Sequence, residues 1–135
     1  MELDRDLFLP VSREDMARRG WDSYDILIIT GDAYVDHPSF GPTIIGRVLE
    51  AEGYRVAILA QPDWRTPESF TALGRPKLAV MISAGTLDSM VAHYTAARRK
   101  RSDDAYSPGN KAGKRPDRAV ITYCKCIRAC YPDIP

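Results

Sequence analysis

The chain has 135 residues, of which 44% are apolar and 27% are charged, a composition typical of an ordinary globular protein with one hydrophobic core. Its 19 basic and 18 acidic residues leave a net charge of +1, which gives no global preference for nucleic acid or an anionic membrane surface. No apolar run approaches the roughly 18 residues that a membrane span requires.

The N-terminus and the cysteines indicate a cytoplasmic protein. The opening "MELDRDLFLP" is charged from its second residue and contains neither a secretory signal nor a lipidation motif. All three cysteines fall between Cys124 and Cys130, which is not the pattern of a secreted disulfide framework. A reducing compartment fits this distribution.

The first predicted element is a short helix. Ser12 is suited to its N-cap and Asp15 stands three residues on, so the helix should run to about Arg19 and stop at Gly20. We therefore expect residues 1–20 to form an N-terminal extension, and residues 21–135 to form an α/β domain that is incomplete at its C-terminus.

Three apolar runs predict buried strands, and the segments between them predict helices. The strands are expected at Ile26 to Thr30, Arg55 to Ala60 and Leu78 to Ser83, with helices from Pro42 to Gly53 and from Thr66 to about Leu73. This alternation favours right-handed crossovers and a parallel sheet. The predicted fold class is a Rossmann/flavodoxin-like three-layer α/β domain with strand order 2-1-3.

The C-terminal third is predicted to hold two more helices and one long loop. Leu87, Met90, Val91 and Tyr94 recur at helical spacing, so a third helix should cover the sheet, with the basic run from Arg98 to Arg101 at its solvated end. Residues 100–118 are rich in charge, glycine and proline, which is typical of a functional or a disordered loop. A fourth helix should start at Pro116, and the final "DIP" is expected to begin a truncated fourth strand.

Polar residues follow the first and third strands, where open α/β sheets build their ligand sites. Their side chains are expected to line a crevice for an anionic or polar ligand: Asp32, Asp36, His37, Ser83, Gly85 and Thr86. The alternative is that the aspartates organise their loop, that Gly85 makes a tight turn and that Thr86 is only an N-cap. His37 is either a metal or cofactor ligand or a loop-holding group. Dinucleotide and Walker-type phosphate motifs are absent.

The cysteines have the spacing C-x-C-x3-C, which raises zinc and iron-sulfur hypotheses. On a helix, Cys126 and Cys130 share a face, whereas Cys124 points about 160° away from Cys126. We therefore favour ordinary buried or half-buried thiols over a metal site.

Long, distinctive strings across nearly the whole chain resemble one family. These are "FLPVSREDM", "GWDSYDILIITGDAYVDHPSFG", "ILAQPDW", "LDSMVAHYTAARRKRSDDAYSPGN" and "AGKRPDRA". They are similar to the N-terminal region of the YgiQ-type radical SAM proteins. The resemblance implies that residues 21–135 are a cobalamin-binding-like α/β domain of a longer parent. In that parent the domain precedes a radical SAM barrel that binds a [4Fe-4S] cluster and S-adenosylmethionine and acts on an unknown small molecule.

The cofactor motifs of such parents are not matched in this chain. The cluster motif is C-x3-C-x2-C; Cys126 and Cys130 match its first spacing, but its third position falls on Asp133. Domains that ligate cobalamin through histidine show D-x-H-x-x-G, whereas here Asp36 and His37 are adjacent. This argues against histidine-ligated cobalamin and leaves base-off binding, or no corrinoid binding, open.

Two functions therefore compete. The chain is either the accessory domain of a radical SAM enzyme, not catalytic by itself, or a free-standing small-ligand or corrinoid binding module. In neither case do we expect a membrane or a nucleic acid as a partner.

Overall fold

A computed structural model describes residues 4–135 and shows an α/β fold. The elements, in chain order, are α1 (Arg13–Arg18), β1 (Ile26–Thr30), α2 (Gly41–Ala51), β2 (Val56–Ala60), α3 (Glu68–Thr71), β3 (Ala79–Ser83), α4 (Ser89–His93) and α5 (Ala119–Cys130). Two short 3-10 turns lie at Arg5–Leu7 and Pro108–Asn110. Among the described residues, no helix is both long and apolar enough to cross a membrane.

The three strands form one parallel sheet in the order β2-β1-β3, which confirms the predicted strand order and fold class. Ile26 pairs with Val56 on one side and with Ala79 on the other, and the register continues unbroken to Thr30. All five residues of β1 are buried, because this central strand is covered on both faces. Its unbroken apolar run is typical of such a strand.

Helices cover the two faces of the sheet and complete three layers. On one face, α2 packs over Ile26, Ile28, Val56 and Ile58. On the other face, the side chains of Leu27, Ile29 and Ala57 pack in a cluster with residues of α3 and α5, which include Phe70, Tyr123 and Ile127. The alternation of side chains along β1 and β2 thus divides the core into two halves.

The N-terminal segment packs onto this sheet. Leu9 is buried in one core cluster and Met16 of α1 in the other. The Ile58 N–H of β2 donates to the carbonyl of Pro10 at 2.8 Å, so the segment also covers the outer edge of β2. The Ser12 Oγ accepts the Asp15 N–H at 3.1 Å and caps α1, as predicted. A domain boundary at residue 20 stays a prediction.

The third predicted helix is much shorter than expected, and it does not cover the sheet. α4 ends at His93 because Tyr94 is extended and forms an antiparallel bridge with Lys100. The intervening turn is closed by the Thr95 N–H, which donates to the Arg99 carbonyl at 2.9 Å. Met90 and Val91 consequently remain about half exposed. The basic run thus lies on a turn and not at a helix end, which corrects that prediction.

Two predicted helix starts are also displaced. α3 begins at Glu68, two residues after the predicted start at Thr66, and has no side-chain cap. The Thr66 hydroxyl donates instead to the Asp63 carbonyl at 3.4 Å. α5 begins at Ala119 and not at Pro116. The two residues after Pro116 belong to the loop that approaches α5.

At the other edge of the sheet, the Val80 N–H of β3 donates to the Pro135 carbonyl at 2.9 Å. Pro135 therefore lies beside β3, which is the position predicted for a fourth strand. The fourth strand itself stays a prediction.

We expect Gly31→Ala to destabilise the fold. A Cβ at residue 31 would lie 2.2 Å from the Ala84 carbonyl oxygen, so the backbone after β1 or β3 must shift. The free energy of unfolding should fall by about 1–3 kcal/mol in urea titrations. Gly41→Ala is the control, since a Cβ there has no neighbour within 4 Å. Equal stabilities for the two variants would contradict this packing.

Candidate functional site

A buried guanidinium joins the loops at the carboxyl edge of the sheet. The Arg115 side chain is fully buried; its Nη2 lies 3.0 Å from Asp32 Oδ1 and its Nε lies 2.8 Å from Asp104 Oδ2. Asp32 follows β1, whereas Asp104 and Arg115 both belong to the long loop between α4 and α5. A buried charge is costly in free energy unless an opposite charge lies close to it. The pairing of Arg115 with Asp32 and Asp104 therefore holds the long loop against the sheet.

Hydrogen bonds also hold both carboxylates, although Asp32 Oδ1 has only the ion pair with Arg115. Asp104 accepts the Ser107 hydroxyl at 2.8 Å and the Tyr106 N–H at 3.0 Å. Burial by itself would raise the pKa of Asp104, but the hydrogen bonds from Ser107 and Tyr106 and the charge of Arg115 outweigh it, so the pKa is lowered. Asp32 accepts the Thr86 N–H at 2.6 Å, which ties the loop after β3 to the same cluster.

Four of the six predicted crevice residues meet at this point and are closely packed. Gly85 has φ +106°, and a Cβ there would lie 2.3 Å from Asp32 Oδ1. The Gly85 N–H donates to the Ser83 hydroxyl at 3.0 Å, and the next residue, Thr86, donates its N–H to Asp32. The cavity on the β1–α2 side of Asp32 measures only about 10 Å³. Ligand binding by these residues stays a prediction.

The other two predicted residues lie elsewhere. Asp36 is exposed and pairs with Arg47 of α2. His37 is exposed, and its Nδ1 accepts the Ser39 N–H at 3.0 Å. The N-cap of α4 is Asp88, whose carboxylate accepts the Met90 N–H at 2.9 Å, so the alternative in which Thr86 is only an N-cap is wrong.

The large open space lies on the far side of Arg115. It is a cleft of about 820 Å³ between the loop after β2, α4 and the approach to α5. We call it the basic cleft after the charged and titratable side chains that line it: Arg65, His93, Lys100, Arg101, Arg115, Asp117 and Arg118. Five of these side chains are cationic and only one is a carboxylate, so the cleft is suited to an anion.

Asp117 organises one wall of the basic cleft. Its Oδ1 lies 2.6 Å from His93 Nδ1, and its Oδ2 accepts the Tyr94 hydroxyl at 2.9 Å. The bond to His93 is the main cause of a lowered pKa at Asp117, and the bond to Asp117 raises the pKa of Tyr94. The Nε2 of His93 is buried and has no hydrogen-bond partner among residues 4–135.

The cysteines do not assemble into a site. Cys126 Sγ lies 3.7 Å from the Trp64 carbonyl, and Cys130 Sγ lies 3.9 Å from that of Pro67. Cys124 lies in a separate groove beside β3. Burial, followed by the neighbouring Cys130, raises the pKa of Cys126, which disfavours its thiolate. Within residues 4–135, no three His, Cys, Asp or Glu side chains are grouped to hold a metal. The thiols do not fit an iron-sulfur cluster.

Several residues of this region were not identified from the sequence as candidate site residues. The prediction did not single out Asp104, Arg115, His93 or Asp117. For Asp104 and Arg115, one sequence feature pointed to a special role. Residues 100–118 have a high density of charge and no helical or strand periodicity. The contact of His93 with Asp117 had no local signal, because the two residues lie on separate elements.

A parallel sheet with polar loops at its carboxyl edge defines a Rossmann-like α/β domain. More specifically, the chain belongs to the radical SAM N-terminal family, whose model matches residues 8–135. This confirms the resemblance drawn from the sequence.

Three curated relatives of this chain are much longer than the chain itself. It is 59% identical over 128 residues to a UPF0313 protein of Shewanella oneidensis, and 58% identical to UPF0313 proteins of Clostridium botulinum and Pseudomonas aeruginosa. Each alignment covers 95% of the chain but only 16%, 20% and 17% of these relatives, respectively. The chain thus spans a fifth of their length or less. No solved structure matches it.

Replacing the buried cation should strongly destabilise the protein. Arg115→Met leaves Asp32 and Asp104 buried without their counter-ion, and breaking such a pair costs about 3–5 kcal/mol of unfolding free energy. Arg75→Met removes an exposed ion pair with Asp133 and is the matched control, with little change expected. Urea unfolding followed by circular dichroism measures both. Similar losses in the two variants would contradict the importance of the buried pair.

Asp104→Asn should change the pH dependence of stability. The folded pKa of Asp104 lies below the ordinary value of 3.8, so its contribution is complete above that pH and is lost as the pH falls through the folded pKa. The stability deficit of the variant should therefore be large at neutral pH and smaller at about pH 3. Asp103→Asn, at an exposed neighbour, should show little deficit at neutral pH. A deficit of Asp104→Asn that is constant with pH would oppose this assignment.

Proposed function

We propose that this chain is the N-terminal accessory domain of a radical SAM enzyme. In this proposal it positions a small-molecule substrate at the carboxyl edge of its sheet, facing a radical SAM barrel in the full-length protein. The domain division at residue 20 is part of the proposal, with residues 21–135 as the α/β unit.

The relation to longer relatives is the observation that carries this proposal. The family match covers residues 8–135, yet the chain corresponds to only 16–20% of the relatives described above. A segment that recurs as a small part of larger proteins is expected to work together with the remainder. This favours the accessory domain over a free-standing binding module.

The cofactors are proposed for the full-length protein and not for this chain. A [4Fe-4S] cluster would supply the electron that cleaves S-adenosylmethionine, and it requires three thiolates at one site. Here Cys126 and Cys130 contact the segment from Trp64 to Pro67, whereas Cys124 lies beside β3. We therefore assign the cluster to the barrel.

The corrinoid alternative receives less support. His37 already accepts a hydrogen bond at Nδ1, and the cavity between its loop and β2 is about 10 Å³, far too small for a corrinoid ring. We propose a cytoplasmic location for the full-length protein, because the three thiols are free and such chemistry needs reduced iron-sulfur centres.

Anaerobic reconstitution tests whether the iron-sulfur cluster is bound by this chain or by the remainder of the full-length protein. Iron and sulfide are added to the 135-residue chain and, in parallel, to the full-length Pseudomonas aeruginosa relative. We expect a stoichiometric cluster, read by absorbance and electron paramagnetic resonance, and cleavage of S-adenosylmethionine only in the full-length protein. A cluster of this kind in the chain alone would refute the proposal. So would a full-length relative that forms none.

A further inference from the structure

We propose that the basic cleft is a binding site for a small molecule that carries a phosphate ester or pyrophosphate group. This names a ligand class and a location for the substrate-positioning role proposed above. It does not require the iron-sulfur chemistry, so the two proposals can fail separately.

Three of the five cations of the cleft are free to bind an added anion. Arg115 is occupied by Asp32 and Asp104, and Arg65 lies 3.5 Å from Asp63. Lys100, Arg101 and Arg118 have no carboxylate within 4.0 Å in the described part of the chain. Asp117, the carboxylate of the wall, is already hydrogen-bonded to His93 and Tyr94. The cleft therefore retains an excess of positive charge that attracts anions.

Arg101 adds a fixed cation to the same wall. Its Nε donates to the carbonyls of Val91 and Tyr94 at 3.1 and 3.2 Å. These are neutral acceptors, so they hold the guanidinium in place without cancelling its charge. A guanidinium positioned in this way forms strong, directional hydrogen bonds to phosphate oxygens.

The N-terminus of α5 opens into the cleft between Arg118 and Thr122. This helix has 12 residues, no side-chain cap and no acidic residue in its first turn. The residue before the N-cap is Asp117, whose carboxylate is already hydrogen-bonded to His93 and Tyr94. The positive end of the helix dipole is thus not neutralised within α5, and such ends bind phosphate readily. The unpartnered His93 Nε2 is an independent polar group of the same wall.

The size of the cleft favours a small molecule. A volume of about 820 Å³ lies within the range of about 300–1,000 Å³ that is usual for small-ligand sites. Nucleic acid is disfavoured, because the chain has a net charge of only +1 and affinity for nucleic acid depends mainly on an excess of cations. Several cations close together bind a multiply charged phosphate group of a ligand better than they bind a ligand with a single carboxylate.

The test titrates the 135-residue chain with inorganic pyrophosphate at low ionic strength, using calorimetry and NMR. We expect saturable binding, weakened about tenfold or more by Lys100→Gln and by Arg118→Gln, because each removes a charged hydrogen-bond donor. Lys125→Gln makes the same charge change on α5 at an exposed residue outside the cleft and should leave the affinity unchanged. Circular dichroism confirms that each variant folds.

The two histidines of the chain provide an internal control. Pyrophosphate should shift the imidazole resonances of His93 and leave those of His37, on the loop before α2, in place. The proposal is overturned by absent or non-saturable binding, by equal weakening in Lys125→Gln, or by a shift of His37 instead of His93. Tighter binding of a single-stranded oligonucleotide than of pyrophosphate would also overturn it, in favour of a nucleic-acid surface.

Discussion

The Arg115 guanidinium, fully buried between two carboxylates, organises the carboxyl edge of this domain. It joins the loop after β1 to the long loop before α5, and through Asp32 it also holds the loop after β3. A charge at this depth is tolerated only with close partners. The long loop is therefore held in place, and one side of the basic cleft is built on it.

The sheet could be predicted from sequence because its signals are local. The continuous apolar residues of β1, Ile26–Thr30, indicate a strand covered on both faces, and regular alternation with helices limits the topology. The end of α4 could not be predicted in this way. It depends on the bridge between Tyr94 and Lys100, which competes with a helical pattern that continues past His93.

The convergence of loops at the carboxyl edge of the sheet could be predicted, but the position of the basic cleft along that edge could not. The general rule for α/β sheets points to the loops after β1 and β3, and both loops do converge at Asp32 and Thr86. The space between them is filled by the pairing with Arg115, which comes from a distant part of the chain. Side chains that meet only through tertiary folding, such as His93 and Asp117, leave no spacing pattern to find.

The hydrogen bond between Ile58 and the Pro10 carbonyl has a consequence for the behaviour of the protein in solution. An outer strand with free backbone groups is a template for pairing with another molecule. Pro10 accepts from β2 but has no N–H of its own to extend the ladder, so the segment ends the sheet on this side instead of adding a strand to it. Proteolytic loss of this short segment would leave the Ile58 N–H of β2 without its partner and would favour pairing of this edge with another molecule.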